Sequence, residues 1–153
     1  MQVWVLPVKP LFAEQIYEGV KKYELRRRRL KIEREDRIAL YETTPVKAIT
    51  GEFGAGNVTY MDAALVAKRV RAGLIEGCDE RDLPYVGLRG LVTVIEVTGA
   101  IRYRNPIGLR EIRMLAPGIT LRCPFRVERW PRLLERIDNE LMHSLSQDVQ
   151  QLP

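Results

Sequence analysis

The stretch "GVKKYELRRRR" (residues 19–29) decides how this chain is read. It opens on a glycine and closes on four consecutive arginines, and the spacing of apolar residues changes across it. Before it, Phe12, Ala13, Ile16 and Tyr17 recur at helical intervals, and Gly19 is a helix stop. From Lys22 the period is two. Tyr23 and Leu25 would face one side of a strand, and Lys22, Glu24, Arg26 and Arg28 the other. Glu24 is a carboxylate among many cations. The stretch is either a charged strand that happens to be basic or a site.

Upstream, "VWVLPV" (residues 3–8) reads as a short apolar strand, with Pro7 marking an edge or a strand end. Lys9 precedes Pro10, a favourable first helical position. Downstream, Ile38, Leu40 and Glu42 alternate against Ala39 and Tyr41, and Thr43, Thr44 and Pro45 mark a turn. "KAITGEFGAGNVTY" (residues 47–60) joins β-branched residues to three glycines, which predicts a bent or bulged strand. Asp62 is the N-cap of a helix to about Leu74. "GCDERDLPYVGLRG" (residues 77–90) reads as a loop with one helical turn at most, and "LVTVIEVTGAIRYR" (residues 91–104) is the clearest strand. "NPIGLREIRMLAP" reads as a turn and a short helix, and "RCPFRVERW" as a further extended piece. Leu133, Leu134, Ile137, Leu141 and Leu145 predict a helix from Pro131 to about Val149, and the tail "QQLP" reads as frayed. Strands outnumber helices and cluster in hairpin-like runs. The expected class is α+β: a small curled β-barrel of mixed or antiparallel strands with flanking helices.

The 153 residues suit one domain with a real core. With 46% hydrophobic and 29% charged residues, a folded soluble protein is expected rather than disorder. A net charge of +5 favours polyanionic partners, nucleic acid before membrane. Most of the positive charge is arginine, which suits phosphate and base contact and equally a heat-adapted surface. No run is long enough for a membrane helix, and the start "MQVWVLPVKP" lacks the features of a signal peptide. Cys78 and Cys123 form no CxxC, and His143 is the sole histidine, so neither a zinc site nor another cofactor is expected. Two unpaired thiols fit a cytoplasmic location.

Gly19, Lys21, Glu24 and Arg26 match GxKxxExR, the pattern of the ASCH domain family in the PUA-like superfamily. "LPVKPLFAEQIYEGVKKYELRRR" resembles that family's opening strand, Lys-Pro step, first helix and motif strand. "DRIALYETTPVKAITGEF" resembles its next hairpin, "YVGLRGLVTVIEVTGAIRYRNPIGLREI" its later strand and "RCPFRVER" its closing segment. The resemblance covers roughly residues 3–130, which implies one domain over residues 1–130. Residues 131–153 would then be a helix packed on the same domain or at a homo-oligomer interface. The resemblance implies a PUA-like barrel with a cleft beside the motif, in proteins associated with RNA. Some members act as hydrolases on acetylated cytidine and others as ribonucleases. The hydrolase members carry a threonine nucleophile where this chain has Glu24, which disfavours that chemistry here.

These readings define a candidate set. Lys21 is expected at the cleft mouth, its ammonium aimed at phosphate or base, although a lysine ending a helix also complements the helix dipole. Glu24 and Arg26 are either a structural ion pair or a base-reading pair, a carboxylate accepting from a base amine and a guanidinium forking to base or phosphate. Were the protein an enzyme, Lys21 would stabilise developing charge and Glu24 would act as base, without metal. Residues 26–37 hold seven cations, Arg26 to Arg29, Lys31, Arg34 and Arg37, against Glu33, Glu35 and Asp36. They are either a charge-guarded edge or an RNA backbone track that Arg102, Arg104, Arg110 and Arg113 extend. Lys9, Tyr41, Thr43 and Thr44 are placed at the cleft by the family pattern, with Tyr41 as a stacking platform or a strand aromatic. Glu52 is a second candidate carboxylate. The expected partner is RNA or a nucleotide.

Overall fold

The computed structural model describes residues 1–150, the side chains of residues 148–150 excepted. β1 (Val3–Val8) leads through α1 (Pro10–Tyr17) to β2 (Tyr23–Arg27), β3 (Arg37–Glu42) and β4 (Ala48–Asp62). α2 (Ala63–Arg71) and a 3₁₀ turn at Glu80–Tyr85 precede β5 (Leu91–Gly108). α3 (Leu109–Leu115), β6 (Phe125–Arg126), a second 3₁₀ turn at Val127–Arg129 and α4 (Pro131–Gln150) follow. The strands form one six-stranded sheet in the order β2-β5-β4-β3-β1-β6. β1 and β3 run parallel, and the other ladders are antiparallel. This is the expected α+β architecture, realised as a curled half-barrel.

The curl comes from the long β4–β5 pair. Their ladder slips between Ile49 and Gly51, Glu52 and Gly54, and Ala55 and Val58. Each slip adds local twist and bends the hairpin, so the glycine-rich strand wraps instead of lying flat. β1 is buried along its whole length because helices cover both its faces. Val3 and Val5 pack with Leu133 and Ile137 of α4. Trp4 and Leu6 pack with Ala13 and Ile16 of α1. Trp4 is a core residue whose Nε1 donates to Asp36 Oδ2 at 3.2 Å.

α4 seats its Leu133–Ile137 face in this core and is tied to β5 by polar contacts. Glu140 accepts from the Asn105 N–H at 3.0 Å, and the Arg104 N–H donates to Ser144 Oγ at 3.1 Å. Three boundaries differ from expectation. α2 stops at Arg71 because Gly73 (φ 71°) turns the chain. β5 runs on through Asn105–Gly108, where a turn is read from sequence, because Ile49 and Ala48 of β4 pair with Ile107 and Gly108. The "RCPFRVERW" segment keeps only a two-residue strand before a 3₁₀ turn. The expectation of a frayed tail lies outside the described residues. Among the described residues, no helix is long and apolar enough to cross a membrane.

Candidate functional site

The site begins where α1 ends. Gly19 adopts φ 77°, open to glycine at little cost, and the N–H groups of Val20 and Lys21 both donate to the Gln15 carbonyl. The chain therefore turns Lys21 inward. Its side chain is fully buried, with Nζ paired to Asp82, 3.6 Å from Cys78 Sγ and 4.9 Å from the centre of the Phe12 ring. The expectation of a mobile ammonium at the cleft mouth is corrected: Lys21 is a fixed cation beneath it. Burial pulls its pKa down, but the neighbouring carboxylates Glu24 and Asp82 more than offset this, and it ends above the ordinary lysine value.

Asp82 comes from the 3₁₀ turn. Its Oδ2 accepts from the Asp79 N–H at 2.9 Å, and its other oxygen takes Lys21. Asp79 in turn caps the turn by accepting from the Arg81 N–H at 2.9 Å. Cys78 is buried and unpaired beside this pair, and burial pushes its thiol up to about 12 despite Lys21. Gly77 brings this loop against the motif: at φ 83°, an added Cβ would lie 2.2 Å from the Val20 carbonyl oxygen. Sequence reasoning missed Asp82. The visible signal was the D-x-x-D spacing of "DERD", which marks a reciprocal cap.

Glu24 and Arg26 lie on the polar side of β2, paired to Ile95 and Thr93 of β5. Glu24 is only 4% exposed. Arg26 Nε sits 3.2 Å from Glu24 Oε1, and its guanidinium donates to the Pro7 carbonyl at the end of β1. Among the described residues, the buried polar side-chain atoms without a hydrogen-bond partner are Glu24 Oε2 and Arg26 Nε. Both residues line one cleft of about 290 Å³. Phe12 and Tyr85 form its aromatic wall, edge to face at 5.4 Å. Lys9, whose Nζ lies 5.6 Å from the centre of the Tyr85 ring, also lines it, together with Thr43 and Arg122. Phe12, Tyr85 and Arg122 were not among the sequence candidates, because the fold alone brings α1, the 3₁₀ turn and the loop before β6 together.

The other candidates separate. Thr43 and Thr44 border a second cavity of about 510 Å³, and Tyr41, 6% exposed, packs in the core at its base. Arg27 and Arg28 border a third cavity of about 320 Å³, which shares Arg26 and Tyr85 with the cleft. Arg29 turns away and lies 5.1 Å from the Tyr60 ring centre. Glu52 does not line the cleft. Both its oxygens are taken by Arg37, at 2.7 and 2.9 Å, and by the Tyr103 hydroxyl at 2.5 Å. Arg37 also pairs with Asp138 of α4, so it holds the core together and does not extend the basic run. Arg102 pairs with Glu14 at 2.7 Å, whereas Arg113 borders the second cavity.

The curled sheet with its flanking helices is the ASCH type of fold. The ASCH protein from Zymomonas mobilis shares it: a tyrosine-to-phenylalanine variant superposes with a TM-score of 0.75 at 20% identity, over 90% of this chain and 98% of that one. A serine-to-alanine variant of the same protein gives 0.75 at 21% identity, over 90% and 95%. The N-terminal domain of Staphylothermus marinus McrB is more distant, with a TM-score of 0.52 at 13% identity over 88% of this chain and 93% of that chain. No protein-family model and no curated protein matches the sequence.

Proposed function

We propose that the protein is an RNA- or nucleotide-binding module that takes one base into the cleft beside Glu24. The observation that carries this reading is Glu24, which lines the cleft and whose buried Oε2 has no hydrogen-bond donor. Leaving such an atom unsatisfied costs about 1–3 kcal/mol or more, and a base amine or imino group supplies what it lacks. Arg26 lines the same cleft, and its buried Nε, 3.2 Å from Glu24 Oε1, has no hydrogen-bond acceptor. Acceptor and donor side by side suit the amine and ring nitrogen of cytosine, or the imino edge and carbonyl of guanine. Phe12 and Tyr85 offer aromatic walls against which a base packs. The basic residues around the cleft suit phosphates, and the likeness to ASCH proteins supports a module of this type.

Binding is favoured over metal-independent hydrolysis of RNA or of an acetylated cytidine. The catalytic pair suggested by the sequence needs Lys21 facing the reacting atoms. Lys21 instead directs its ammonium to Asp82 and Cys78, and it does not line the cleft.

The test is the base preference of the wild type and of Glu24→Gln on labelled ten-nucleotide homopolymers, read by fluorescence anisotropy. The variant keeps the shape but replaces an acceptor-only group with a mixed one. Preference should change by a factor equivalent to about 1–3 kcal/mol. An unchanged preference with lowered thermal stability would make Glu24 a structural partner of Arg26. Chelator-resistant turnover of RNA or acetylated cytidine that both Lys21→Ala and Glu24→Gln abolish would replace this reading with the enzyme.

A further inference from the structure

The cleft does not end at its rim. It shares Thr43 and Arg122 with the 510 Å³ cavity on one side. It shares Arg26 and Tyr85 with the 320 Å³ cavity on the other. The three spaces differ in chemistry. The central one carries the carboxylate and the aromatic wall. Neither flank has an acidic residue in its lining.

One flank presents Lys47 and Arg113 together with Arg122, and the other presents Arg27 and Arg28. Lys47, Arg113, Arg27 and Arg28 are all exposed, and among the described residues none of these four, nor Arg122, makes an ion pair. Arg37, Arg81, Arg102 and Arg136 are each paired to a carboxylate. Among the described residues, exposed Arg29, Arg71 and Arg129 also make no ion pair, so the cations beside the cleft are set apart by their position and not by the lack of a partner. The Lys47 backbone is held on both sides: its N–H donates to the Thr43 carbonyl at 3.4 Å, and its carbonyl accepts from the Leu109 N–H at 2.9 Å.

A free nucleoside would use the centre alone, and a mononucleotide the centre and one flank. The alternation of cations, carboxylate with aromatics, and cations matches phosphate, base, phosphate along a strand. Resting on the base-binding reading above, we infer that the ligand is an internal nucleotide of single-stranded RNA. Its base enters the Glu24 cleft. One neighbouring phosphate lies against Lys47, Arg113 and Arg122, and the other against Arg27 and Arg28. The strand therefore crosses the mouth of the cleft and does not follow the continuous arginine run, since Arg29 and Arg37 point elsewhere.

The test is a ligand series: cytidine, its 5′- and 3′-monophosphates, and the trinucleotide UpCpU, titrated calorimetrically at several salt concentrations. Three proteins are compared with wild type: the pair Lys47→Gln and Arg113→Gln, the pair Arg27→Gln and Arg28→Gln, and Glu24→Gln. The trinucleotide should bind at least about tenfold more tightly than either monophosphate. Each cation pair should reduce the steepness of its salt dependence by about 0.7, the contribution of one phosphate on a single strand. If one monophosphate binds as tightly as the trinucleotide and only one cation pair alters the slope, the ligand is a free nucleotide and the crossing strand is wrong. If cytidine and the trinucleotide bind alike while Glu24→Gln weakens both, the phosphate flanks fall and the base cleft stands. If Glu24→Gln changes neither, the base-binding reading falls and this inference with it.

Discussion

Lys21 and Asp82 form an ion pair closed to solvent, the lysine side chain wholly buried and the aspartate side chain 6% exposed. The pair joins the motif after α1 to the 3₁₀ turn that carries Tyr85, so it fixes the aromatic wall relative to Glu24. Asp82→Ala would strand a buried ammonium and should cost about 3–5 kcal/mol. Lys21→Met should cost less, because Asp82 keeps the Asp79 N–H. Urea denaturation midpoints give the order, and the reverse order would mean that the ammonium is not the group in need of compensation.

Gly77 is where the loop meets the motif backbone. Gly77→Ala places a Cβ 2.2 Å from the Val20 carbonyl oxygen and 2.6 Å from the Lys21 Cα, in a left-handed conformation. The conformational strain alone is about 1–3 kcal/mol, and the loop must lift. Thiol labelling reports this directly. In the wild type, exposed Cys123 should react quickly and buried Cys78 slowly. In the variant both should react quickly.

Tyr85→Ala removes one wall of the cleft. RNA affinity should fall by the equivalent of about 1–3 kcal/mol, the usual effect of losing a stacking aromatic. Tyr85→Phe should retain most of it. Equal losses in the two variants would assign the effect to the hydroxyl and not to the ring.

Acid should loosen α4. Burial raises the Glu140 pKa, but the Asn105 N–H, Arg136 and Ser144 more than offset this and hold it below the ordinary 4.5. The folded pKa is thus depressed. Its stabilisation is complete above about pH 4.5 and is lost as pH falls through the folded value. A series of denaturation midpoints should show this decline, and Glu140→Gln, though less stable at neutral pH, should show a shallower one.

Much of the fold is legible in the sequence because it is local. The period change across Gly19, the Asp62 cap and the Thr43–Pro45 turn each depend on neighbours a few residues away. The glycines of β4 foretell its bulges, although not their registers, which depend on pairing with β5. The site is less legible, because its parts come from five separate segments. Lys21 and Glu24 are close in sequence, yet nothing there tells that the lysine turns inward, since its partner is Asp82. Glu52 looks available as a lone polar residue in an apolar strand, but Arg37 and Tyr103 occupy it. Arg122 has no local pattern to mark it and matters only because β6 pairs beside β1.

The most direct measurement is a backbone amide NMR titration with UpCpU. If a base enters the cleft, the largest shifts will fall on Phe12, Glu24 to Arg26 and Tyr85, and Glu24→Gln will shrink them together. A second groove, bordered by Asn57, Met61, Arg69 and Ile75, provides the contrast. Shifts concentrated there, with the amides of Phe12, Glu24 and Tyr85 unmoved at saturation, would contradict the account.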